Sequence, residues 1–290
     1  MSKHLSAMVC GFLLLLSARS ADATNYSMGC VEKYSNASGF TSSDDVSLTC
    51  DATDGFSFWF NLLGTHNLRF YWHDTLVWPS DYIEDSLGGA DNVEIDWSSA
   101  DLAVFSGHGS CQNPPTSTSP DFIVTAKNGI GRGPNFVNIG SSMRLGEFPG
   151  SGVFGNNGNL NALMINASCP MDLVSVTTQW WPVFQGLHVA MGHSGDTGHD
   201  NLDSNQKLPT VGMYLGPYVP FVNFFGSNSY RTAWMSAGLI DVQSGVCAVI
   251  TAAGRTEDEA VSRRDFETPT ARIPDAMPPT WLAWRWVCRG

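Results

Sequence analysis

Short runs of apolar residues, each closed by glycine or a polar residue, recur along this chain from residue 54 onward. The clearest lie at 68–72, 102–105, 160–167, 187–191 and 246–252. Residues 102–105 and 162–165 are continuously apolar, which is the pattern of strands buried on both faces. The stretches between them are long enough for crossovers. Helices are expected over 79–88 after Trp78-Pro79, within 170–186, and over 221–239. Strands alternating with helices predict an α/β fold built on a mostly parallel sheet. Residues 110–158, rich in Gly, Pro, Ser, Thr and Asn, read as a long insertion holding a small hairpin. Residues 255–266 are charged and helical in character. The Trp-rich stretch 279–288 alternates as an edge strand would.

The start of the chain reads differently. Lys3 precedes an apolar core over 8–16, and Ala21-Asp22-Ala23 supplies a small-x-small cleavage pattern. Residues 1–23 are therefore expected to be a secretory signal peptide, the apolar run being too short to span a bilayer. Residues 24–53 are polar, carry Cys30 and Cys50, and are expected to form a disulfide-tied N-terminal extension. This leaves 54–290 as one α/β domain. No later apolar run reaches the roughly 18 residues of a membrane span. With 15 Lys and Arg against 27 Asp and Glu, the net charge is −12, which argues against nucleic acid or an anionic membrane surface as a partner. Once Cys10 leaves with the signal peptide, six cysteines remain: Cys30, Cys50, Cys111, Cys169, Cys247 and Cys288. An even number in an oxidising compartment predicts three disulfides.

Two strand ends carry candidate chemistry. In Leu102-Ala103-Val104-Phe105-Ser106-Gly107-His108-Gly109 an apolar strand runs out into a histidine between glycines. In Ala162-Leu163-Met164-Ile165-Asn166-Ala167-Ser168-Cys169 another runs out into a cysteine. Ligands of open parallel sheets sit outside the carboxyl ends of the strands. If these strands are neighbours, His108 and Cys169 end at one edge, where an imidazole can turn a thiol into a nucleophile. The competing readings are a turn histidine and a structural half-cystine.

An apolar strand ending in His-Gly, followed some 60 residues on by an apolar strand ending in Cys, resembles the caspase-like cysteine peptidase superfamily. That superfamily includes caspases, gingipains, legumains, separases and CHAT-type peptidases. The likeness extends through Phe184-Gln185-Gly186-Leu187-His188-Val189-Ala190-Met191-Gly192, the stretch 221–237 and the strand at 246–254, covering residues 54–254. It is nearest to secreted bacterial caspase-like domains. The resemblance implies a three-layer sandwich, with helices on both faces of a mostly parallel sheet. It implies His108 as general base and acid and Cys169 as nucleophile, with the backbone N–H groups of Gly109 and Cys169 as the oxyanion site. The reaction would be endopeptidase cleavage of a polypeptide through a thioester, with no cofactor and no metal. The context Ala167-Ser168-Cys169-Pro170 departs from the caspase pattern, which has Gln-Ala before the cysteine and a glycine after it.

The cysteines hold the chief conflict. Adjacent strand ends would let Cys111 reach Cys169, and Cys30–Cys50, Cys111–Cys169 and Cys247–Cys288 would then use all six. Fifteen connectivities are open to six cysteines. A disulfide at Cys169 removes the thiolate and leaves a non-catalytic, partner-binding relative. A third reading is a metal-dependent hydrolase built on His188, His193 and His199 with Asp196, Asp200 and Asp203. Their spacing matches neither a zinc helix nor a calcium loop, so His193 and Asp196 are placed instead on the rim of a substrate cleft. The Asn-x-Ser sequons at Asn25, Asn36 and Asn166 decide nothing. Trp180, Trp181, Trp234 and the tail tryptophans read as packing rather than as a carbohydrate platform.

Overall fold

The computed structural model describes residues 23–34, 42, 45–62, 66–90, 100–110, 121–123, 136–146, 160–173, 176–195, 197, 206–216, 228–241, 244–271, 273–275 and 278–290. In chain order the elements are β1 (Asn25–Cys30), α1 (Thr49–Phe60), β2 (Asn67–His73), β3 (Leu102–Ser106), β4 (Gly109–Ser110), β5 (Asp121–Ile123), β6 (Phe136–Asn138), α2 (Ile139–Ser142), β7 (Ala162–Asn166), α3 (Val176–Trp180), β8 (Val189–Ser194), α4 (Lys207–Leu215), α5 (Tyr230–Asp241), β9 (Cys247–Gly254), α6 (Glu257–Phe266) and β10 (Trp281–Cys288). Seven strands form one sheet in the order β10-β9-β8-β7-β3-β1-β2, and β4, β5 and β6 form a small separate sheet. From β2 to β8 every pairing is parallel; β9 runs antiparallel to β8, and β10 antiparallel to β9.

Side chains alternate across the sheet and build two cores, giving a three-layer α/β sandwich. On one face Ala103, Phe105, Leu163, Ile165, Ala190 and Val249 pack against Met143, Leu145, Trp180, Val183 and Phe184. On the other, Tyr26, Met28, Val104, Met164, Met191 and Ile250 meet α1, α4 and α5 through Phe56, Phe60, Leu208, Val211 and Trp234. Helix α1 forms because Ala52, Phe56 and Phe60 recur every four residues on one stripe. Its close approach to α4 requires a glycine: a Cβ at Gly212 would stand 2.5 Å from the Phe56 carbonyl oxygen. Helix α6 begins where the Thr256 side chain accepts the Glu259 N–H, with acidic residues in its first turn and arginines in its last.

Several expectations change. Residues 24–53 are no appended extension, because β1 lies inside the sheet between β3 and β2, and α1 begins at Thr49. Tyr26–Cys30 are all buried; Ser27 and Gly29 interrupt the apolar run and hide it from a hydropathy reading. The helix expected over 79–88 is instead two short 3-10 turns, Pro79–Asp81 and Asp85–Leu87. The segment 170–186 holds only α3 and the 3-10 turn Trp181–Val183. The helix placed at 221–239 starts at Tyr230, and residues 221–227 lie outside the described residues. Strand β10 is an edge strand as expected, and Cys288 pairs directly with Cys247 across the ladder. The expected leader lies outside the described residues except for Ala23. No helix among the described residues is long and apolar enough to cross a membrane.

Candidate functional site

Strands β3 and β7 are parallel neighbours with Ser106 opposite Asn166, so both chain ends leave the sheet at its carboxyl edge. The Gly107 N–H donates to the Asn166 carbonyl at 3.2 Å and the Val31 N–H to the Ser106 carbonyl at 3.0 Å, which joins β1, β3 and β7 there. His108 follows directly. Its backbone N–H donates to the Tyr34 hydroxyl at 2.6 Å, and its ring lies 4.5 Å from the Tyr34 ring. Burial pushes the Tyr34 phenol above its usual range, so it stays a neutral hydroxyl. Gly109 rests on the next turn: a Cβ there would stand 1.8 Å from the Ser168 carbonyl oxygen. The His108-Gly109 and Ser168-Cys169 segments are therefore in contact, the juxtaposition expected if β3 and β7 are neighbours.

The bonding of Cys169 bears on two roles expected of that corner. Cys169 is disulfide-bonded, so it presents no thiolate. Its expected partner, Cys111, lies outside the described residues. The Cys169 backbone N–H donates to the Gly195 carbonyl at 3.0 Å and is not open to an oxyanion. Gly109 stands opposite Phe122 in the β4–β5 ladder. Cys169 also has a positive φ of 57°, a conformation costing a non-glycine residue about 1–3 kcal/mol unless its surroundings hold it. The disulfide and the bond to Gly195 do so, with the Met171 N–H donating to the His193 carbonyl at 3.0 Å. The other two expected pairings, Cys30–Cys50 and Cys247–Cys288, are both present.

Beneath this corner runs a buried polar row that the sequence reading missed. Asn166 Nδ2 donates to Ser106 Oγ at 3.1 Å. Asn166 Oδ1 lies 3.3 Å from His193 Nε2, and the same nitrogen lies 3.2 Å from Lys207 Nζ. The Lys207 ammonium sits 3.7 Å from the centre of the Trp234 ring, whose Nε1–H donates to the Gly192 carbonyl at 3.1 Å. His193 and Lys207 are both buried, so His193 lies inside the sandwich and not on the exposed rim expected of it. Asp196 lies outside the described residues. The available signal was that β3, β7 and β8 are apolar until a polar residue near their carboxyl ends: Ser106, Asn166 and His193.

The histidine–aspartate cluster does not assemble on β8. His188 precedes β8 and His193 lies near its far end, five residues and about 16 Å of strand apart. Both ring nitrogens of His188 face carboxylates, Nδ1 at 2.6 Å from Glu267 and Nε2 at 3.2 Å from Asp275. His199, Asp200 and Asp203 lie outside the described residues. Among the described residues, the His, Cys and carboxylate side chains close enough to share a metal are Cys30, Cys50 and His73.

No curated protein matches the chain. Residues 29–288, nearly the whole of the described sandwich, match the family described as Domain of unknown function (DUF6345), and the chain belongs to that family.

Proposed function

We propose that this protein is an exported caspase-like module that binds a polypeptide partner at the carboxyl edge of its sheet without cleaving it, the cysteine of the strand-end pair being locked in a disulfide. The observation that carries this reading is the state of Cys169: its sulfur is bridged and its amide is given to Gly195. A bridged sulfur cannot attack a carbonyl, and a committed amide cannot stabilise the oxyanion that attack would create. The disulfides Cys30–Cys50 and Cys247–Cys288 support export to an oxidising compartment.

One observation favours a second reading, a cysteine endopeptidase with His108 as base and Cys169 as nucleophile. Gly109 packs directly on the Ser168 backbone, so reduction would release a thiol on the turn against which the His108-Gly109 segment packs. The test is labelling of Cys169 by a thiol-directed peptide warhead, read alongside non-reducing peptide mapping. The binding reading expects a bridged Cys169 peptide and no label in protein as exported. Labelling of Cys169 in that protein, suppressed by His108→Ala, would overturn it in favour of the peptidase.

A further inference from the structure

The disulfide Cys30–Cys50 lies at the carboxyl end of β1, two strands along the same sheet edge from the end of β7, and its surroundings are unlike those of an inert crosslink. Cys30 stands opposite His73 in the parallel β1–β2 register, so the backbone holds the sulfur and the imidazole side by side at adjacent strand ends. His73 Nδ1 lies 3.5 Å from Cys30 Sγ. The Tyr71 hydroxyl lies 3.6 Å from the same sulfur. Cys50 sits in the first turn of α1, where the helix dipole favours a thiolate. The two sulfurs and the His73 ring nitrogen all lie within 4.8 Å of one another.

These distances carry a chemical meaning. In a tetrahedral zinc site with Zn–S of about 2.3 Å and Zn–N of about 2.05 Å, the sulfur–nitrogen edge is about 3.5 Å. The Cys30–His73 separation is already that edge. The second sulfur needs only the disulfide to open, its Cα being 5.2 Å from that of Cys30.

Charge decides between a bare dithiol and a metal site. The Glu32 carboxylate accepts the Cys50 N–H at 3.0 Å. Asp74 Oδ1 accepts the N–H groups of Glu32 and Lys33 at 2.8 and 2.9 Å. Glu32 and Asp54 both act on the Tyr71 phenol, helping burial to raise it. Two thiolates among Glu32, Asp54 and Asp74 repel their surroundings, and a divalent cation reverses that repulsion. His73 is exposed, which leaves the ion a path from solvent to the buried sulfurs.

We propose that on reduction of this disulfide Cys30, Cys50 and His73 become a three-ligand site for zinc(II), with a fourth position open to water. A dithiol supplies two electrons and two protons and becomes a disulfide, while the Cys30–Cys50 bond opens to two thiols. Zinc then binds the two sulfurs and the His73 nitrogen, and both thiol protons pass to solvent. The corner thus exists in two exclusive forms, a crosslink under oxidising conditions and a metal centre under reducing ones.

Cobalt(II) is the probe. The full chain, reduced anaerobically with a water-soluble phosphine, should bind one cobalt per chain at this site, with thiolate-to-cobalt charge-transfer absorption that zinc bleaches. His73→Ala should weaken cobalt binding at least about tenfold. Cys30→Ser with Cys50→Ser should abolish the site's absorption while leaving Cys169, Cys247 and Cys288 in place as controls for adventitious thiolate binding. His73→Ala retains the disulfide, so its oxidised form should melt with wild type and separate lost ligation from lost folding. Absorption that survives both variants, or is absent from reduced wild type, overturns the proposal. Loss of the far-UV circular dichroism of the fold on reduction overturns it too, because the site needs β1 and α1 in place.

Discussion

A histidine clamp at the amino edge of the sheet gives the sharpest test of the energetics. Residues 267–271 and 273–275 strap that edge. The Glu267 carbonyl accepts the Tyr230 N–H at 2.9 Å, and the Pro269 carbonyl accepts the Thr24 hydroxyl at 2.8 Å. Arg263 holds the Pro274 carbonyl and Glu259. His188 lies under the strap with Glu267 on one nitrogen and Asp275 on the other. Only the imidazolium can donate to both carboxylates; the neutral ring has a single N–H. Burial pushes the His188 pKa down and Arg263 adds to that, but hydrogen bonds to Asp275 and Glu267 and the Glu267 charge outweigh them, so the pKa is raised above 6.5. The folded state therefore holds this proton more tightly than the unfolded chain. The resulting stability is fully present below about pH 6.5 and is lost as pH rises through the raised folded pKa.

The perturbation is His188→Leu. It strands the Glu267 carboxylate, whose side chain is 1% exposed, and removing one partner of a buried ion pair costs about 3–5 kcal/mol. The Asp275 contact adds little, because that side chain is 32% exposed and screened. For a domain of this size that loss corresponds to a fall in melting temperature of roughly 10 °C. His188→Leu with Glu267→Gln removes both titrating partners and serves as the reference. Urea unfolding at several values between pH 5.5 and 9 should show wild type exceeding this reference most at the acid end, with the margin shrinking as pH rises. A margin that stays flat, or grows toward pH 9, refutes the clamp.

Two other predictions follow from the cores. Burial lowers the His66 pKa to about 4, and its ring stacks on Phe60 at 4.0 Å; NMR titration should place its midpoint near 4, and stability should fall as pH drops from 6.5 toward 4, by up to about 3 kcal/mol. Trp234→Ala should cost about 3–5 kcal/mol in denaturant unfolding, because it empties a fully buried ring and removes the face on which the Lys207 ammonium rests.

Much of the sandwich was legible because its central strands are apolar on both sides. Residues 102–105 and 162–165 announce themselves as the apolar bodies of β3 and β7, and strands at 187–191 and 246–252 fall within or beside β8 and β9. Helix α4 was not expected, since Lys207, Pro209 and Gly212 break the usual helical pattern. Lys207 is nevertheless buried, because Trp234 and His193 receive its charge across the turn. A local reading cannot foresee a partner supplied by another element. The buried row Ser106, Asn166, His193 and Lys207 was invisible for that reason, although each strand-end residue stood in plain sight.

The sequence by itself determined the alternation of buried strands and helices, the acidic charge, and the two strand ends that carry His108 and Cys169; that they share one sheet edge followed once β3 and β7 paired. Those properties follow from local patterns, because an all-apolar strand must be covered on both faces and a parallel neighbour must end on the same side. Tertiary structure alone decided the chemistry left at that edge. Whether Cys169 is a nucleophile or half of a cystine depends on which sulfur the folded chain brings to it, and that is a matter of distance in space rather than spacing in sequence. The histidines divide for the same reason. His188 and His193 are close in the chain, yet β8 carries them to opposite edges, one into a carboxylate clamp and the other beside a buried lysine.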